Sequence, residues 1–167
     1  QMYPLGVRTD GSYYTRIEWA SHTETDPMLW VLNVIDDDVE RNGGTWGANT
    51  FGPANVVLSF FGEAQTMSRI RIFRNVGITA SVLEELARQI NIYVSDADEP
   101  RRLRTKEDKI DDVPWTLVKE APIEKAEGWV DVELDAPVTA KYVRFELVGN
   151  RSDEIDWTEG SELKIFP

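Results

Sequence analysis

Cysteine is absent from the 167 residues, and histidine occurs once, as His22. Without thiols there is no disulfide framework, no thiolate metal site and no cysteine nucleophile. A single imidazole also excludes most metal-hydrolase chemistry. Long apolar runs are missing too; none approaches the roughly 20 residues that a membrane-spanning helix needs. Basic side chains are scarce, 18 against 30 acidic ones, for a formal net charge of -12. Such a field repels phosphate backbones and anionic head groups, so neither nucleic acid nor a membrane is an expected partner. RRLR at 101–104 does not alter this, because KEDKIDD follows at once and makes a mixed-charge loop. No signal peptide opens the chain and Gln1 is not an initiator methionine, so a mature product or a piece of something longer is expected.

What is present is apolar surface in short, alternating runs. Six tryptophans and a 41% hydrophobic content suffice for a packed core. In GWVDVELDAPVTAKYVRFELVG, Val130, Val132 and Leu134 alternate with Asp131, Glu133 and Asp135; after a Pro-containing turn, Tyr142 to Leu147 alternate again. Period two puts one set of side chains on a core and the other in water. NVVLSFF (55–61) and SRIRIFR (68–74) repeat the pattern, with Ile70, Ile72 and Arg74 on one face and Arg69, Arg71 and Phe73 on the other. YYTRIEWA (13–20), QINIYVS (89–95), WTLVKE (115–120) and ELKIFP (162–167) read as further strands. Only SVLEELARQ (81–89) reads as helical, opened by a Ser81–Glu84 capping box and at most about two turns long. With no repeat and no linker, the expectation is one domain over 1–167. Its fold class is an all-β antiparallel jelly-roll β-sandwich with a short helical insert.

Three stretches resemble the discoidin-like, or coagulation-factor 5/8 type C, domain and the similar family-32 carbohydrate-binding modules on the same galactose-binding-like jelly roll. They are NVIDDD…TW, INIYVSDADEP…WTLV and APVTAKYVRFELVG…SELKIF. The resemblance covers most of the chain from about residue 17 onward. Two features depart from it: Phe60-Phe61-Gly62 stands where the family has Asp-Leu-Gly, and VERNGG lengthens the span from Asp36 to the tryptophan.

The acidic run of NVIDDDVERNGGTW is either a solvated turn or a cation loop. An EF-hand is excluded, because a loop starting at Asp38 reaches Asn49 rather than glutamate at position twelve. The resemblance implies a structural calcium between this loop and the last strand. Asp36 and Glu162 would give carboxylate oxygens, Asn33, Asp38 and Ser161 backbone oxygens, and Thr45 its carbonyl or hydroxyl. Three loops hold residues suited to a sugar, which takes an aromatic ring against its C–H face and planar polar groups on its hydroxyls. These are Asn49 and Phe51; Arg74 and Asn75; and Arg151 with Trp157. Arg74 falls where the family places an arginine, and Trp157 near its stacking aromatic. Each has an alternative: Arg74 as the partner of a carboxylate, Trp157 as a packed side chain, His22 as a solvated loop histidine or a ligand contact. Trp46, Trp115 and Trp129 are expected in the core. Gly47 stands where the resemblance implies a sugar-contacting histidine. Asn150-Arg151-Ser152 also matches a glycosylation sequon.

No nucleophile elbow, P-loop or dinucleotide fingerprint is present, and carboxylate pairs such as Glu84–Glu85 arise by chance among thirty acids. The expected function is therefore a non-catalytic, calcium-stabilised carbohydrate-binding module. Its partner would be a glycan, it would be secreted or cell-surface, and it would belong to a larger enzyme or adhesin. The alternative is a protein-interaction or adhesion module on the same fold, using apolar residues such as Phe51, Met28, Leu29 and Trp30.

Overall fold

A computed structural model describes residues 6–23, 30–39, 46–74, 84–96, 110–152, 154, 158–160 and 162–167. Ten strands follow in order: β1 (Arg16–Ala20), β2 (Trp46–Ala48), β3 (Ala54–Ser59), β4 (Gln65–Arg74), β5 (Gln89–Ser95), β6 (Thr116–Pro122), β7 (Gly128–Ala140), β8 (Tyr142–Leu147), β9 (Thr158–Gly160) and β10 (Glu162–Phe166). Every strand pairing is antiparallel. One sheet runs β1-β3-β8-β5-β6, a second β10-β4-β7, and β2 pairs β9 in a short third.

Alternation decides which faces meet. On the five-stranded sheet Val56 and Leu58, Ile90 and Ile92, and Val143, Phe145 and Leu147 point inward. They join Met67, Ile70, Ile72, Val132, Leu163 and Ile165 from the three-stranded sheet in one buried cluster. Each such side chain contributes roughly 1.5–3 kcal/mol of burial, so the cluster holds the two sheets together against chain entropy. The outward residues of the same central strands form two cross-strand rows: Asn55, Glu146 and Asn91, then Val57, Arg144 and Tyr93.

The N-terminal stretch lies along the last strand. Val7 bridges Tyr13, Tyr13 N–H donates to the Ile165 carbonyl at 2.8 Å, and Lys164 pairs with Asp10.

The expected all-β class holds, with four local corrections. The helix expected over 81–89 stops early: Glu84 and Glu85 are helical, but Gln89 already opens β5, and residues 81–83 lie outside the described set. The Pro-containing turn after Asp135 is instead continuous strand to Ala140. β7 is an edge strand and its register with β4 shifts between Met67 and Arg69, so Pro137 fits there without the N–H it lacks. Phe73, expected in water, is buried and tilts against Trp129 with ring centroids 5.0 Å apart. Trp115 and Trp129 are half-buried outside the main core, Trp115 against a smaller cluster of Val57, Val113 and Tyr142, whereas Trp46 is fully buried.

Candidate functional site

The acidic run distributes its three carboxylates differently. A 3-10 turn over Val31–Val34 packs on β2 and β10 and delivers the chain to Ile35. Asp37 adopts φ 61°, pairs with Lys164, and lies 3.8 Å from Arg8, whose Nη2 donates to the Ile35 carbonyl at 3.0 Å. Asp37 is thereby compensated. Asp38 is exposed and its N–H donates to Asp36 Oδ1 at 2.9 Å, closing a local turn.

Asp36 faces Glu162, and Glu162 is 1% exposed. The Asp37 N–H donates to Glu162 Oε1 at 3.0 Å, while Oε2 is buried with no hydrogen-bond partner among the described residues. Burial and the neighbouring Asp36 carboxylate push Glu162 up to about 8, against the opposing pull of the Asp37 N–H and Lys164. An orphaned carboxylate oxygen beside a second carboxylate suits a hard cation that takes oxygen ligands. Asn33 is buried at the same turn. Thr45 and Ser161 lie outside the described residues. Among the described residues no three acidic or imidazole side chains converge as a metal cluster, so a cation here would depend on backbone oxygens for the rest of its shell.

A second constellation gathers where four chain segments meet. The loop between β2 and β3 is held by Thr158, whose hydroxyl donates to the Thr50 carbonyl at 2.9 Å. Gly52 and Gly149 let two backbones touch: a Cβ on Gly52 would sit 2.3 Å from the Val148 carbonyl oxygen, and one on Gly149 would sit 2.5 Å from that of Phe51. Only glycine permits that approach. Arg88 N–H donates to Gly149 O and Arg151 N–H to Glu84 O, both at 2.9 Å, tying the segment before β5 to the one after β8.

The crossing leaves an open cavity of about 620 Å³ lined by Phe51, Arg88, Asn150, Arg151 and Ser152. Phe51 is 51% exposed, unusual for a phenyl ring in a small domain. Arg88 is exposed and its guanidinium makes no hydrogen bond or ion pair among the described residues. Arg151 is half-buried, donates through Nη2 to the carbonyls of Ala87 and Ile123, and leaves Nε buried and unpaired. Burial lowers its pKa; Glu84 opposes that and nearby Arg74 adds to it.

The expected residues divide accordingly. Phe51 and Arg151 line one cavity, and Asn49 is exposed two residues before Phe51. Arg74 is 8% exposed and holds the loop before β7, donating to the carbonyls of Gly128, Glu124 and Glu127 at 3.1, 3.2 and 3.2 Å. Neither of its expected partners, a carboxylate or an open pocket, receives these donors. His22 shares a 2.6 Å hydrogen bond with Ser21 Oγ, and its carbonyl accepts from the Trp46 indole at 3.1 Å. Asn75 and Trp157 lie outside the described residues. Arg88 and Ser152 were not legible as site residues. Arg88 sat inside a predicted helix, and only the long-range bond to Gly149 brings it to the cavity.

No protein-family model matches the sequence, and no curated protein matches it either. Solved structures do. A family-32 carbohydrate-binding module from a Clostridium perfringens family-31 glycoside hydrolase superposes with TM-score 0.70 at 14% identity, over 95% of this chain and 96% of its own. The chain has the discoidin-like fold of the family-32 carbohydrate-binding modules. Another C. perfringens module with this discoidin-like fold, solved with GalNAc-β-1,3-galactose, gives TM-score 0.69 at 10% identity over 92% and 96%. A two-module discoidin-like structure from C. perfringens ZmpB with GalNAc gives 0.64 at 19% over 96% of this chain and 34% of that one.

Proposed function

We propose that this protein is a non-catalytic carbohydrate-binding module that targets a parent enzyme or adhesin to glycans outside the cell. The observation that carries the reading is the half-exposed Phe51 ring beside Arg88 and Arg151 in one open cavity. A ring face can stack on the C–H side of a pyranose while planar guanidinium groups donate to its hydroxyls. The sugars held by structural neighbours of the same fold support the choice of ligand class. Rigid strands behind the loops keep the cavity preformed, and the affinity of a lone module is modest, raised by repetition.

A structural calcium belongs to the same proposal. Asp36 and Glu162 would supply carboxylate oxygens, and Asn33, Asp38, Thr45 and Ser161 further oxygens. Bound there, the ion offsets the repulsion between two close carboxylates and locks the acidic turn to β10.

A glycan array probed in millimolar calcium, with Phe51→Ala alongside, tests the reading. A sugar-class signal lost in the variant is expected. A folded protein that stays silent across the array overturns it. Such silence would favour a protein-interaction module, a reading that rests on Trp30 and Leu32, 43% and 54% exposed on the 3-10 turn beside the acidic run. Capture of a protein partner that survives competition by sugar, and is lost in Trp30→Ala, would establish that alternative.

A further inference from the structure

The outward face of the five-stranded sheet holds a second cavity, of about 500 Å³, on rigid strands rather than loops. That size lies within the roughly 300–1,000 Å³ of small-molecule sites. Its floor is the pair of cross-strand rows of β3, β8 and β5, and one wall is the 3-10 turn Ile110–Asp112. Arg144 is the centre. It is 6% exposed, its guanidinium carbon lies 4.6 Å from the Tyr93 ring centroid and 5.9 Å from that of Trp115, and its Nε donates to Asn55 Oδ1 at 2.8 Å.

Two carboxylates face it, and they differ. Glu146 is saturated: Oε1 accepts from Asn91 Nδ2 at 3.0 Å and from the Tyr93 hydroxyl at 3.5 Å, and Oε2 from Arg144 Nη2 at 3.3 Å. Asp111 stands at the rim with an 86% exposed side chain, 3.6 Å from Arg144 Nη1. That separation is an ion pair too long for a hydrogen bond, so acceptor and donor stand side by side with hydrogen-bonding capacity left over. Adjacent hydroxyls of a polyol fit this arrangement, one donating to Asp111 and the next accepting from Nη1. A full anion meets Asp111 at the mouth, and a full cation meets Arg144 behind it. Tyr93 and Trp115 add aromatic surface to the lining, on which the C–H face of a ring can pack.

We propose that this sheet-face cavity is a second binding site, for a neutral pyranose, separate from the cavity at Phe51. The inference extends the glycan reading to another face, and its failure is separable from that of the first site.

The test is an NMR titration of the ¹⁵N-labelled full chain with the methyl glycosides of glucose, galactose and N-acetylglucosamine. The reporters are the Trp115 indole N–H, which donates to the Ile110 carbonyl at 2.9 Å, and the Arg144 Nε–H. The expected result is a saturable shift of both that persists in Phe51→Ala. Asp111→Ala, at an exposed position that leaves the fold intact, should weaken it about tenfold, the value of one charge-assisted hydrogen bond. Silence of Trp115 and Arg144 while amides around Phe51 move overturns this second site alone. Silence at both cavities overturns both. A Trp115 shift unchanged by Asp111→Ala also overturns the proposed contact set.

Discussion

The acidic turn at Asp36–Asp38 and the loops around Phe51 handle polarity in opposite ways. In the first, charges turn toward one another and toward buried Glu162 and Lys164. Lys164 and Arg8 compensate Asp37, and Glu162 is buried against Asp36 with one oxygen unanswered. In the second, a phenyl ring and an exposed guanidinium turn outward over a floor of touching backbones. The inward arrangement leaves one buried carboxylate oxygen without a hydrogen-bond partner among the described residues. The outward arrangement leaves an aromatic face and donors open to solvent. On the function proposed above, the first would serve stability and the second recognition.

The largest effect should come from the floor. Gly52→Val or Gly149→Val drives a side chain into backbone 2.3–2.5 Å away, and a loss of about 3 kcal/mol or more in urea unfolding is expected. A loss below about 1 kcal/mol would mean that the loops are not locked to each other.

Glu162→Gln comes next. The wild type should gain about 2.7 kcal/mol when free calcium exceeds its Kd a hundredfold, and the variant should gain almost nothing. In chelator near neutral pH the order should reverse, because the amide is neutral without the proton that Glu162 must take up on folding. Equal melting of the wild type in calcium and chelator breaks the comparison at its inward end.

A pH series in chelator sharpens it further. Glu162 holds its proton to about 8 in the folded chain, against 4.5 for the ordinary side chain, so between those values the native state binds more protons than the unfolded one. That contribution to stability is fully present below about 4.5 and falls as pH rises toward about 8. Calcium should flatten the decline and release a proton on binding. A chelator melt that is flat across this window counts against the buried carboxylate.

The smallest effects on stability belong to the outward end. Phe51→Ala and Arg88→Ala should each stay within about 0.5 kcal/mol of the wild type in thermal melts, because both side chains are exposed. A larger loss from Phe51→Ala would make the ring a packing element rather than a contact.

Much of the scaffold was legible in the sequence because its signal is local. QINIYVS gives β5 at both ends, since a β-branched alternating run is bounded by its own flanks. Trp46 was rightly expected in the core. What escaped depends on partners distant in sequence. The three-residue strands β2 and β9 carry no periodicity of their own and exist only as a pair. Trp115 and Trp129 looked like main-core residues by alternation, but Trp115 packs on a smaller cluster of Val57, Val113 and Tyr142 beside Arg144, and Trp129 on Phe73 beside Arg71 and Lys164. At the candidate sites, Asp36, Glu162, Phe51 and Arg151 were named from the sequence and stand in the two constellations described. The role of Arg74 as a clamp on backbone carbonyls was not legible, because nothing in FRNVG tells which carbonyls will surround it.

The contact between Tyr13 and Ile165 has a mechanical consequence. It fastens the stretch before β1 to the last strand, with Lys164 and Asp10 riveted beside it. Tension between two neighbours in a longer chain would load that short seam and bypass the sandwich, leaving both cavities undistorted under pull.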